Sequence, residues 1–185
     1  MINEKNLIQS LLDGSVGVMP TDTIYGVVAR ASDKMAVERL YKLKRRENKP
    51  GTIIAASFQQ LVDLGIDKEL LLKVSQFWPG PISIIVNAPV SLAYLHQDTG
   101  SLALRVVDDE WVRGVLEQTG PLLTSSANQP GEPSSTTIEM AKNYFGDQVD
   151  FYLDRGDLSD RQASTIIKLD GDKITVLRQG AVKIS

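Results

Sequence analysis

The chain has no cysteine and a single histidine, and both shortages narrow its chemistry. Without cysteine there are no disulfides, no thiolate metal sites and no cysteine nucleophile. One imidazole rules out a multi-histidine zinc site and speaks against a histidine-based triad. That histidine, His96, lies in Leu92-Ala93-Tyr94-Leu95-His96-Gln97 and is expected to be structural or solvent-facing. Long apolar runs are missing too, since no stretch approaches the roughly 20 residues that span a bilayer. The start, Met1-Ile2-Asn3-Glu4-Lys5, lacks the charged and apolar regions of a signal peptide, so a cytoplasmic location is expected. Nor is there an excess of basic charge: 20 Lys and Arg against 23 Asp and Glu leave a net charge of −3, which argues against a dedicated polyanion binder. Finally, the G-x-x-x-x-G-K-[ST], G-x-G-x-x-G and H-E-x-x-H motifs are absent. Any nucleotide must be held by scattered hydroxyls and cations.

What is present reads as one α/β domain over residues 1–185, with 42% hydrophobic and 23% charged residues. Short apolar runs alternate with amphipathic stretches. Helices are expected over Asn3–Leu12, from Ser32 or Asp33 to about Arg45, over Lys68–Phe77, Asp108–Gln118 and Thr136–Phe145. Strands are expected at Val16–Met19, Thr52–Ala56, Ile82–Val86, Ser101–Val106, Leu122–Ser125, Phe151–Leu153, Ser164–Leu169 and Ile174–Leu177. The segment between Val86 and Ser101 reads as irregular. Gly171-Asp172 should turn the last two strands into an antiparallel hairpin, so the sheet is mixed.

Four places can carry chemistry, because α/β sheets build sites where strands run into polar loops. Pro20-Thr21-Asp22-Thr23-Ile24-Tyr25-Gly26 sets two hydroxyls and a phenol on one turn, whose Thr and Asp can equally cap their own backbone. Lys42-Leu43-Lys44-Arg45-Arg46-Glu47-Asn48-Lys49 is a basic cluster at a helix C-terminus, which can simply balance the dipole. Helix phase adds something, since Val37, Leu40, Tyr41 and Lys44 share one face and turn the Lys44 ammonium inward. A cation facing a cleft needs an anion to offset its desolvation. Leu122-Leu123-Thr124-Ser125-Ser126-Ala127-Asn128 passes from an apolar strand into hydroxyls and an amide, able to hold phosphate or carboxylate oxygens or only to cap a loop. Near the C-terminus, Ser164-Thr165 opens one strand and Arg178-Gln179-Gly180 closes the other. Arg105 interrupts the apolar strand Leu102-Ala103-Leu104-Arg105-Val106 and needs a partner if buried.

Together these pieces resemble the YrdC-like (TsaC-type) threonylcarbamoyl-AMP synthases, in order, from about residue 5 to 182. The paired signature is Lys44-x-Arg46 with Ser126-x-Asn128; Trp78-Pro79-Gly80-Pro81 and Leu177-Arg178-Gln179-Gly180-Ala181 are also similar. The resemblance implies a twisted mixed sheet with flanking helices and a large concave cleft, in the short form without a second domain. It implies that ATP, with Mg2+ carried on the nucleotide and no metal held by the protein, reacts with L-threonine and bicarbonate. The products are threonylcarbamoyl-AMP and pyrophosphate, destined for tRNA directly or through downstream modification proteins. It assigns catalysis to Lys44, Arg46, Ser126 and Asn128. Ligand contacts are implied for Thr21, Thr23, Tyr25, Lys49, Arg105, Thr124, Ser125, Ser134, Ser164 and Arg178. The sequence departs from the family pattern at Glu47, which brings an acid near a site for anions, at Val28, and at Pro50-Gly51-Thr52. The competing readings are a carbamoyl-adenylate-forming paralogue and a non-catalytic RNA-binding module using Lys42–Lys49.

Overall fold

A computed structural model describes residues 1–170 and 173–184. In chain order it contains α1 (Glu4–Leu12), β1 (Gly17–Pro20), β2 (Tyr25–Arg30), α2 (Lys34–Leu43), β3 (Thr52–Ala55), α3 (Phe58–Asp63), α4 (Lys68–Val74), β4 (Ile82–Asn87), α5 (Ala93–His96), β5 (Ser101–Val106), α6 (Glu110–Thr119), β6 (Leu122–Ser126), α7 (Ile138–Phe145), β7 (Phe151–Tyr152), β8 (Thr165–Asp170) and β9 (Lys173–Arg178). Polar side chains cap the starts of α2 and α6. Asp33, not Ser32, caps α2 by accepting from the N–H groups of Met35 and Ala36, and Asp109 caps α6 through Val112 N–H.

The strands form one mixed sheet in the order β7-β1-β2-β6-β3-β5-β4-β8-β9. Neighbours β1/β7, β3/β5 and β4/β8 are parallel, and the others, including the β8/β9 hairpin, are antiparallel. The Gly171-Asp172 turn expected between β8 and β9 lies outside the described residues.

Period-two alternation gives the two faces of the sheet different fates. One face carries Val27, Ile53, Leu123, Leu104 and Ile84 into a large core closed by α2, α3, α4, α5 and α7. The other carries Met19, Val28, Ile54 and Leu122 into a smaller core under α1 and α6. Two residues along β2, β3 and β6 from Val28, Ile54 and Leu122 stand Gly26, Thr52 and Thr124, beyond the reach of those two helices. They line an open cavity instead. The half-covered face is what leaves a cleft.

Several expectations need correction. β2 was not expected as a strand: Tyr25 and Gly26 read as the end of a turn, and burial on both faces removes any alternation from the rest. Helix α3 has six residues, too few for a helical period to show. The helix expected to Phe77 ends at Val74 and tightens into a 3-10 turn. The supposedly irregular segment contains α5. Helix α2 stops at Leu43, because Arg45 adopts the left-handed conformation at φ 46°. Val28 fits a fully buried core position, so its side chain disturbs nothing in the cleft.

Candidate active site

The cavity on the open half of the sheet has a volume of about 310 Å3. Its floor is Gly26, Thr52, Thr124, Ala103, Ile85 and Ile166, from six strands. Arg46, Lys49, Arg105 and Arg178 converge on it, with hydroxyls from Thr21, Thr23, Ser125, Ser126 and Ser164. No Asp or Glu lines it among the described residues. Four cations facing a cavity without an acid form a site for anions.

How α2 ends explains two of the four. The N–H of Arg46 bonds Tyr41 O and that of Arg45 bonds Lys42 O, a left-handed helix stop in which Arg45 takes the position usually given to glycine. The reversal keeps Lys44 on the buried face and swings Arg46 to the cleft. Lys49 follows after a second left-handed residue, Asn48 at φ 53°. This is why a Lys-x-Arg spacing sends two cations to different places.

Lys44 is 2% exposed and does not line the cavity. Its ammonium donates to Ser126 O at 2.7 Å, to Asn128 Oδ1 at 3.0 Å and to Asn128 O. Asn128 Oδ1 also accepts from Ser126 Oγ at 2.8 Å, and Asn128 Nδ2 donates to Glu132 O at 2.5 Å. Lys44, Ser126 and Asn128 therefore form one unit, of which only Ser126 reaches the cavity wall. The inward cation expected from helix phase is there, but it meets three carbonyl oxygens of the β6–α7 loop. Burial lowers the Lys44 pKa to about 7, and the nearby Arg46 charge acts in the same direction.

Arg105 is held from behind. It is 3% exposed and pairs with Asp22 at 2.8 Å, whose side chain is 5% exposed; it also donates to Ser83 Oγ at 3.1 Å. Sequence reasoning missed Asp22 as a site residue, although the need of a buried arginine for an acid was the signal. Burial raises the Asp22 pKa while Arg105 pulls it down. Arg105 Nε, Ser125 Oγ and Asp22 Oδ2 are buried and have no hydrogen-bond partner among the described residues. The first two belong to residues of the cavity wall, where a bound anion and its donors would complete them. Arg178 donates through Nε and Nη2 to Ser164 O at 3.1 and 2.8 Å, and Ser164 Oγ lies 2.9 Å from Ser83 Oγ. Burial lowers the Arg178 pKa, and the Arg105 and Arg46 charges lower it further. Arg178 thus feels both other guanidinium groups, as it would where an anion sits among them.

Other expected ligand contacts are partly spent inside the protein. Thr21 Oγ1 donates to Ile24 O at 2.8 Å and lies 3.1 Å from Thr23 Oγ1, so the self-capped turn and the cavity wall coexist. The Tyr25 hydroxyl donates to Gly156 O at 2.8 Å, with Asp154 Oδ1 at 3.1 Å, and accepts from Arg155 N–H, so only its body faces the cavity. Asn128 and Ser134 do not line the cavity. Glu47 is exposed and lines a separate hollow across Arg46, so the acid feared near the anion site points away from it. Pro50-Gly51-Thr52 has a packing reason, because a Cβ on Gly51 would stand 2.6 Å from Thr124 O. His96 is buried, bonding Pro89 O and Gly100 N–H, and is structural. Among the described residues no three His, Asp or Glu come together as a metal site, and no helix is long and apolar enough to cross a membrane.

Comparison with known proteins bears on this arrangement. The Sua5–YciO–YrdC family model, described as telomere recombination, matches residues 9–180. A putative threonylcarbamoyl-AMP synthase of Methanocaldococcus jannaschii is 32% identical over 180 residues, covering 96% of this chain and 86% of that protein. A threonylcarbamoyl-AMP synthase of Vibrio campbellii is 33% identical over 189 residues, covering 97% of this chain and 100% of that protein. Among solved structures, P. abyssi Sua5 complexed with L-threonine superposes with a TM-score of 0.82 at 28% identity. That match covers 97% of this chain but only 55% of the Sua5 chain.

Proposed function

Since this chain belongs to the Sua5–YciO–YrdC family, we propose that it is a threonylcarbamoyl-AMP synthase, which joins ATP, L-threonine and bicarbonate in the cavity between β2, β6, β3, β5 and β8. The observation that carries the reading is the convergence of Arg46, Lys49, Arg105 and Arg178 on a cavity without a carboxylate. Two relatives named for this activity, each matched along most of its length, and a relative holding L-threonine support the choice of substrates.

The chemistry asks for such a site. The amine of threonine attacks the carbon of bicarbonate and water leaves, giving a carbamate. A carbamate oxygen then attacks the α-phosphorus of ATP, and pyrophosphate departs. Every partner carries negative charge, so the main barrier is repulsion between reactants. Fixed cations and hydroxyls lower it by holding the anions together and by meeting charge that develops on the phosphate oxygens. In this reading Arg46 and Lys49 reach the anions from the loop after α2, Arg105 from β5 and Arg178 from the end of β9. Ser125, Ser126 and Ser164 supply donors between them, and Lys44 with Asn128 sets the position of Ser126. Mg2+ enters with ATP as part of the substrate. Asp22, the acid behind Arg105, is already paired with it, which leaves the metal to the phosphates. The adenylate is passed on toward threonylcarbamoyladenosine in tRNA, directly or through downstream proteins, in the cytoplasm.

The test is an incubation with ATP, Mg2+, bicarbonate and L-threonine, followed by pyrophosphate. Release that requires threonine and bicarbonate supports the reading. Release indifferent to threonine sinks it, and RNA binding with no release under any condition favours a binding module.

A further inference from the structure

The turn that carries Arg46 and Lys49 is held by a residue outside the cavity wall. After α5 ends at His96, Gln97 and Asp98 both take left-handed backbone conformations, at φ 48° and 59°. That reversal aims the Gln97 amide at the turn from behind. Its Nε2 donates to Arg46 O at 2.7 Å, and its Oε1 accepts from Lys49 N–H at 3.0 Å. One amide thus bridges both ends of the segment between the two cations. A second brace stands beside it: Tyr41 Oη donates to Leu95 O at 2.5 Å and accepts from Gly51 N–H at 3.2 Å. The loop leaving α2 is therefore tied to the end of α5 by two bonds to Gln97 and, through the Tyr41 hydroxyl of α2, by an indirect third link from Gly51 to Leu95. Gln97 lines the hollow on the far side of Arg46 and does not line the cavity, so it has no path to a bound ligand.

We propose that Gln97 is a positioning residue for adenylate formation, whose side-chain amide presets the Arg46–Lys49 turn so that both cations face the cleft before the anions arrive. The inference rests on the functional reading given above. Between the ends it bridges, the turn has exposed residues at Glu47 and Asn48, and Asn48 is left-handed. Its main internal tie is Arg46 itself, whose Nη1 lies 3.3 Å from both Lys49 O and Pro50 O. An arginine that must also meet a ligand cannot reliably hold its own loop. Gln97 relieves it of that task, and it does so with an uncharged group that adds nothing to the field of the cleft.

Loss of the clamp makes the competent turn a minor state that ligand must select, which raises the apparent KM by the inverse of its population and spares kcat. Gln97→Ala is expected to raise KM for ATP by about 30-fold, the value of two ordinary hydrogen bonds, with kcat within about threefold of wild type. Gln97→Glu keeps the acceptor for Lys49 N–H, loses the donor to Arg46 O and is expected to fall between the two. Hydrogen exchange on the unliganded proteins supplies the second readout: peptides covering residues 46–51 should exchange faster in Gln97→Ala while the sheet does not change. Wild-type KM, or unchanged exchange in that segment, overturns the proposal. So does a KM loss accompanied by faster exchange throughout the protein, which would make Gln97 a general stabilising residue. Exchange needs no turnover. A wild type that releases no threonine-dependent pyrophosphate therefore sinks the functional reading and leaves the clamp to be judged by exchange.

Discussion

Replacing Lys44 by methionine separates a lysine that grips a substrate from one that holds a loop. Methionine keeps the apolar stem and the packing beside Phe145 but removes the ammonium. Three carbonyl oxygens, Ser126 O, Asn128 O and Asn128 Oδ1, then lose one donor each; Ser126 O keeps the Asn128 N–H and Asn128 Oδ1 keeps the Ser126 hydroxyl. At about 1 kcal/mol for each hydrogen bond removed, the loss is about 3 kcal/mol. That is well within the stability of a domain of this size, typically about 5–15 kcal/mol, so the variant folds. It should melt about 6–12 °C lower, at the usual 2–4 °C per kcal/mol for such a chain. The same change frees Asn128 and lets Ser126 drift from the cavity wall, and a displacement of even 1 Å at a reacting site can cost about 100-fold in rate. Urea denaturation and threonine-dependent pyrophosphate release, measured on the same preparation, should therefore both fall. Lost activity with unchanged stability would show that the carbonyl clamp is not what Lys44 provides. Activity near wild type would remove the Lys44–Ser126–Asn128 unit from the mechanism altogether.

Other outcomes follow from the same geometry. Arg46→Ala removes a cleft cation with no buried acid behind it, so pyrophosphate release should drop by about 10²- to 10³-fold while the urea midpoint barely moves. Asp22→Asn leaves the buried Arg105 charge without its partner and should cost about 3 kcal/mol by urea denaturation, together with weaker ATP binding; a neutral result would mean that Arg105 needs no fixed acid. The Lys44 pKa is lowered from 10.5 to about 7, so the native state binds fewer protons than the unfolded chain between those values. Its contribution to stability is fully present above 10.5 and is lost as pH falls through about 7; activity should run the other way, because the neutral amine has two donors for three carbonyls. Melting curves at pH 7 and 9 for wild type and Lys44→Met should differ in slope, and parallel curves would refute the assignment. Gly51→Ala places a Cβ 2.6 Å from Thr124 O and should destabilise by about 1–3 kcal/mol, read from thermal melting, by prising β3 from β6 at the cleft floor.

Much of this protein was legible before any coordinates, because the signals concerned are local. The cap at Asp33, the apolar runs of β3, β4, β5 and β6, and the phase that turns Lys44 inward each depend on residues a few positions apart. The ordered motifs from the opening turn to Arg178 went further and indicated the chemistry. What the chain order could not reveal are contacts closed over long separations. The acid behind Arg105 lies 83 residues away, the carbonyls around Lys44 lie 82 and 84 away, and the amide that holds the Arg46 turn lies 51 away. Sequence thus determined which charges this protein carries to its sheet ends and in what order. Only the tertiary structure decided which of them face the cleft and which, like Lys44, are used up holding it. Whether a buried cation is met by a ligand or by backbone depends on where the sheet brings distant carbonyls, and periodicity along one helix carries no information about that.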